Sequence, residues 1–122
     1  MNKARLEKLI VALDGVKPKQ FDMTMYAHAC GSPACVLGHF AARSDLQKKF
    51  KFNEKCDRFS AAVLLVKGGK PVYFEDDEVL EYFGITPAQS EYLFGCDGPN
   101  EFATPAMMRR RIRKFIDNAK RA

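Results

Sequence analysis

Residues 21–43 read "FDMTMYAHACGSPACVLGHFAAR", and the folding of this stretch sets the class of the whole chain. Phe21, Met23 and Met25 alternate with Asp22, Thr24 and Tyr26. That period of two suits a short strand, although Asp22 could instead cap a helix. Behind it, Ser32 is a suitable N-cap, and Pro33 fits a first helical turn, where its missing N–H costs nothing. A helix is therefore expected from Pro33 to about Arg43. Gly38 weakens such a helix by nearly ~1 kcal/mol relative to alanine. A small residue there permits close approach by another backbone, a reason for the site to tolerate that cost.

Working outward, Leu6, Leu9, Ile10 and Leu13 recur at the spacing of a buried helical stripe, predicting a helix over 3–13. "DGVKP" then turns the chain. The charged stretch "DLQKKFKFNEKCDRF" has mixed periodicity and reads as short helical turns and loop. "AAVLLVKGGKPVYF" places two apolar runs around "KGGK", which suits a hairpin. Ala61 to Val66 would equally serve as the end of a helix stopped by Gly68. Pro71 argues against a central strand at that point. A helix from about Asp77 to Phe83 should end at Gly84, and another should start at Thr86-Pro87 and end at Gly95. Thr104-Pro105 opens the last helix, with Met108, Ile112, Phe115 and Ala119 on its apolar side. The sum is an α+β, predominantly helical single domain over 1–122 with a short strand or hairpin element. It closes with a basic amphipathic helix at about 105–120.

Composition agrees with a folded domain: 47% of residues are apolar and 29% charged, with ten Phe and four Tyr available for an aromatic core. The formal charge of +5 is unevenly spread. From Arg109 to Ala122 there are seven basic residues and one acid, whereas the other 108 residues hold thirteen basic and fourteen acidic ones. A near-neutral body thus carries a basic last helix, a weaker nucleic-acid signal than a basic face built from many elements. The acidic residues Glu75, Asp76, Asp77, Glu78 and Glu81 could pair with that helix. They lack EF-hand spacing, and "KGGKP" lacks the spacing of a phosphate-binding loop.

Both histidines and two of the four cysteines lie in the opening stretch, as His28, Cys30, Cys35 and His39. Four such ligands could close a tetrahedral zinc site, but their spacing matches no familiar zinc pattern, so no cofactor is expected. Cys35 with His28 or His39 offers a nucleophile and a base. One turn apart on a single helix, however, Cys35 and His39 leave little room for substrate. The preferred reading makes Cys35 a small buried hydrophobe, Cys30 a packed turn residue and His39 a half-buried side chain with a local partner. No catalytic residue is expected on that reading.

The run Phe21, Asp22, Met23, Tyr26, Cys30, Gly31, Ser32, Cys35, Gly38, His39 resembles the opening of certain small uncharacterised bacterial and phage proteins. Their pattern is roughly F-[DN]-M-x-x-[WY]…C-G-[ST]-x-x-C-x-x-G-[HW]. "YFGITPAQSEYLF" and the closing "TP…RRRIRKFI" resemble their later helices. Tyr26 stands where tryptophan is frequent in that group. The resemblance implies a common fold and is compatible with a phage or mobile-element adaptor or inhibitor; it supplies no mechanism.

The expected function is that of a small non-enzymatic interaction protein. Its partner, a protein or a nucleic acid, would meet Arg109, Arg110, Arg113, Lys114 and Arg121, helped by Tyr82, Tyr92 and Phe94. A solvated face that only keeps the chain soluble is the plain alternative for these cations. A cysteine-dependent enzyme or thiol protein, and a zinc-stabilised binding module, are the alternative functions. The longest apolar run, Ser60 to Val66, falls well short of the roughly 20 residues of a membrane span, and the N-terminus does not read as a secretory signal. A cytoplasmic protein is expected.

Overall fold

Threonine-proline pairs start two helices because the threonine hydroxyl accepts an otherwise unpaired amide while proline needs none. The computed structural model, which describes residues 1–27, 32–55, 62–95 and 100–120, shows both. In order, the helices are α1 (Lys3–Leu13), α2 (Val36–Ala41), α3 (Asp77–Phe83), α4 (Pro87–Phe94) and α5 (Pro105–Lys120). Thr86 Oγ1 accepts the Gln89 N–H at 3.2 Å, and Gln89 Oε1 accepts the Thr86 N–H at 2.9 Å, a reciprocal cap. Thr104 Oγ1 accepts the Met107 N–H at 3.2 Å. Gly84 ends α3, as expected.

Helix α1 is the centrepiece, packing on α2, α3 and α5. It buries Leu6, Leu9, Ala12 and Leu13, whereas Ile10 of the expected stripe stays half-exposed. Helix α5 buries Met108, Ile112 and Ile116, spaced by four. Phe115 is half-buried and Ala119 is exposed, so the apolar stripe is rotated from the expected one. Phe40 of α2, Phe83 of α3 and Phe94 of α4 meet at ring-centroid separations of 5.6 Å. Tyr82 bridges from Phe83 to Phe50 at 4.9 and 5.1 Å. The Arg5 guanidinium lies 4.0 Å over the Tyr82 ring and donates to the Tyr82 carbonyl at 2.9 Å, tying α1 to α3.

The sheet is a two-stranded antiparallel hairpin of β1 (Phe50–Phe52) and β2 (Val63–Leu65), registered Phe50 to Leu65 and Phe52 to Val63. The stretch expected to be helical turns and loop therefore supplies β1. The "KGGK" turn also forms, with Gly68 and Gly69 both at positive φ. It brings Pro71 beside Leu64 on the other side of β2. Leu65 N–H donates to the Lys70 carbonyl and Val72 N–H to the Val63 carbonyl. These bonds flank Pro71, so its missing N–H is not needed there. The Gln47 carboxamide, buried beneath β1, acts as a further short partner. It accepts the Phe50 N–H at 2.7 Å and donates to the Phe50 carbonyl at 2.8 Å.

Residues 21–27 do not form the expected strand. Asp22 Oδ1 accepts the Thr24 N–H at 2.8 Å in a side-chain turn, and the segment joins Pro33 through a single bridge at Ala27. Nor does α2 start at Pro33. The Ala34 N–H donates to the Tyr26 carbonyl at 3.1 Å, and the Ala34 carbonyl accepts from Asp22 at 3.0 Å. These bonds hold residues 33–34 outside the helix, which begins at Val36 with Cys35 as its cap. Gly38 then meets the Tyr26 backbone, the close approach that the sequence suggested: a Cβ on Gly38 would lie 2.3 Å from the Tyr26 carbonyl oxygen. Gly38→Ala should therefore destabilise the fold by about 1–3 kcal/mol, despite alanine's better helix propensity. A lower urea midpoint at unchanged m value is the expected readout.

Candidate functional site

The cysteine–histidine stretch is only partly among the described residues: His28 and Cys30 lie outside them, and so do Cys56 and Cys96. Cys35 is a buried free thiol in the core beside Val36 and Leu37. Its Sγ accepts the Gly38 N–H at 3.4 Å, capping α2. Burial pushes the thiol up to about 11, outweighing the backbone hydrogen bonds from Gly38 and Leu37 that favour the thiolate. A value that high keeps the thiol form at neutral pH, and the side chain is only 3% exposed. His39 is turned to the other side, its Nε2 donating to the Gln20 carbonyl at 2.9 Å while the ring stacks on Phe21 at 6.1 Å. A carbonyl only accepts, so Nε2 carries the proton. Among the described residues no group of three or more histidine, cysteine or acidic side chains is gathered for a metal ion.

Tyr26 occupies the neighbouring site. Its hydroxyl accepts the Phe74 N–H at 2.9 Å, and burial raises its phenol well above the usual range against that opposing hydrogen bond. Ser90, fully buried on α4, donates to the Phe74 carbonyl. These polar groups hold the segment after the hairpin between residues 21–27 and α4, a structural task.

The basic last helix holds the densest run of cations in the sequence. Its cations fall into three groups by what they touch. Arg111 is structural: it donates to the Oδ1 of buried Asn100, and its guanidinium lies 5.6 Å from the Tyr92 ring centroid. Asn100 Nδ2 in turn donates to the Tyr92 and Gly95 carbonyls at 3.0 and 2.9 Å, closing the C-terminal end of α4. Arg109 pairs with Asp14 at 3.5 Å. Arg110, Arg113 and Lys114 have no carboxylate partner among the described residues. The acidic run does not neutralise them: the ion pair of Glu78 is with Lys70, at 3.0 Å, and Asp76 accepts the Tyr73 N–H. Arg121 lies outside the described residues.

Arg109, Arg110, Arg113 and Lys114 border an open surface groove of about 690 Å³, which Ile10 of α1 and Ala106 of α5 share. On the other flank of α5, Lys114 and Asn118 also border a groove of about 340 Å³ with Tyr92, Phe115 and Ala88. Of the aromatic side chains expected beside the cations, Tyr92 is there, 45% exposed. Tyr82 is held under Arg5 and Phe94 is buried in the core, so neither joins this face. Neither Ile10 nor Ala106 was expected at this face. Ile10 counted toward the buried stripe, and its place at the stripe's edge was the signal available. No protein-family model, curated protein or solved structure matches the chain.

The raised Cys35 pKa fixes the sign of an alkaline effect. An unfolded thiol loses its proton near 9.0 and the folded one near 11. The folded state therefore holds the extra proton between those values, and stability that is complete below pH 9 falls as pH rises through the window. Thermal melts from pH 8 to 10, below the range in which the raised Tyr26 phenol adds its own decline, should show this decline and Cys35→Ala should flatten it, at a cost of about 1–3 kcal/mol at neutral pH. A Cys35 that an alkylating reagent labels rapidly at pH 7.5 in the folded protein, followed by peptide mapping, would contradict the burial.

Proposed function

We propose that this chain is a small non-enzymatic interaction protein that binds an anionic partner through the basic face of α5. The observation that carries the reading is the gathering of Arg110, Arg113 and Lys114, which have no carboxylate partner among the described residues, around one open groove. Arg111 and Arg5 place their guanidinium groups on partners within the fold, whereas these three are gathered at one groove on one helix face. Three cations clustered on one helix face raise the local positive potential and attract anions. The protonated, buried Cys35 supports a non-enzymatic role over thiol chemistry with His28 or His39.

An adaptor or inhibitor role is compatible with the resemblance to small bacterial and phage proteins. A buried free thiol suits a reducing, cytoplasmic setting. Among the described residues no helix is long and apolar enough to cross a membrane.

The triple variant Arg110→Glu, Arg113→Glu, Lys114→Glu tests the reading against two probes, polyglutamate and a short single-stranded oligonucleotide. At least one probe should bind the wild-type chain, more weakly as salt rises, and the variant should lose that affinity by about tenfold or more. Far-ultraviolet circular dichroism should be unchanged, because the three side chains are not buried. Equal affinity for the variant, or no salt-dependent binding by the wild type, overturns the basic-face reading.

A further inference from the structure

The groove between α1 and α5 is not uniformly basic. Ile10 contributes an apolar wall from α1, and Ala106 a small apolar patch at the start of α5. Asp117 borders the same groove among the cations, and Asp14, with its side chain 80% exposed, stands beside Arg109. A continuous phosphate backbone would meet both carboxylates along with the cations and would leave the apolar wall unused. Base stacking finds no aromatic ring among the residues that border this groove. A peptide differs in that it chooses the charge at each position and brings apolar side chains of its own.

Resting on the reading that α5 is the working face, we infer that this groove takes an acidic amphipathic helix of a partner protein. Its carboxylates would face Arg110, Arg113 and Lys114, and its apolar stripe would cover Ile10 and Ala106. Charge complementarity selects this occupant. Arg110, Arg113 and Lys114 recur at the three- and four-residue spacing that puts them on one face of α5. Acids at the same spacing on an apposed helix can meet them, which is helix-in-groove recognition with charged edges. Asp117 adds selectivity, because it repels a segment that is acidic along its whole length and accepts one with a neutral or basic residue at that place.

The test is selection of a displayed random-peptide library on the full chain, followed by affinity measurement with the synthesised winning peptides. The expected winners combine Glu or Asp with Leu, Ile or Phe at three- and four-residue spacing. Shuffling their order should abolish binding. Arg113→Glu and Ile10→Gln should each weaken it by about tenfold, the size expected for one central contact. Should Ile10→Gln fail to fold, Ala106→Glu on the exposed edge of the groove serves as the second variant.

Winners that lack acids, that survive shuffling, or that ignore both Ile10→Gln and Ala106→Glu overturn the inference. It also falls if no peptide is enriched while an oligonucleotide binds and is lost in the triple charge reversal; the basic-face reading then stands with a nucleic-acid partner. If peptides, polyglutamate and oligonucleotide all fail to bind, both readings fall together.

Discussion

Contact between Gly38 and the Tyr26 carbonyl is the constraint on which the middle of this molecule depends. It lets residues 21–27 lie against α2 without a side chain between them. The consequences run in two directions. Along the chain, the same carbonyl accepts the Ala34 amide, which holds Pro33 and Ala34 out of the helix and leaves Cys35 to cap it. Across the fold, the Tyr26 hydroxyl takes the Phe74 amide, and Ser90 takes the Phe74 carbonyl. One residue thereby links the turn at Asp22, the start of α2, the exit from the hairpin and α4. The amide and the carbonyl of Phe74 are both taken up in that chain, which is what makes their burial tolerable.

A second polar device organises the other half. The Asn100 carboxamide takes up two carbonyls at the end of α4 and presents its oxygen to Arg111 on α5. Gln47 does the corresponding work beneath β1. In both cases a side-chain amide supplies the donor and acceptor that a neighbouring backbone would supply in a larger sheet or a longer helix. Small domains have little interior to spend on such partners, and one carboxamide satisfies several groups at once.

How much of this was legible in the sequence follows from how local each cause is. Thr86-Pro87 and Thr104-Pro105 start helices through bonds that span three residues, and the sequence shows them directly. The Gly68–Gly69 turn and the stop at Gly84 are equally local. β1 was not legible, because Phe50–Phe52 is extended by pairing with residues 63–65 and by the carboxamide of Gln47. The start of α2 was misplaced for the same reason: Ser32 and Pro33 are good helix openers, but bonds to Tyr26 and Asp22 override them. At the candidate site, the excess of basic residues in α5 was plain from counting. Its division was not, since Arg109, Arg111 and Arg113 look alike until Asp14 and Asn100 are in place.

That division carries a consequence for sequence drift within α5. Arg110, Arg113 and Lys114 act as charges on an open face, so exchange between arginine and lysine there keeps what matters about them. Arg111 acts through a flat, forked donor set between Asn100 and the Tyr92 ring, a geometry that an ammonium group cannot reproduce. Homologues should therefore vary freely between the two basic residues at three positions of this run. At the fourth, arginine should be retained together with asparagine at position 100, or both should be exchanged as a pair. Covariation between positions 100 and 111 would then mark the architecture of the helix, and variation at 110, 113 and 114 would track the partner.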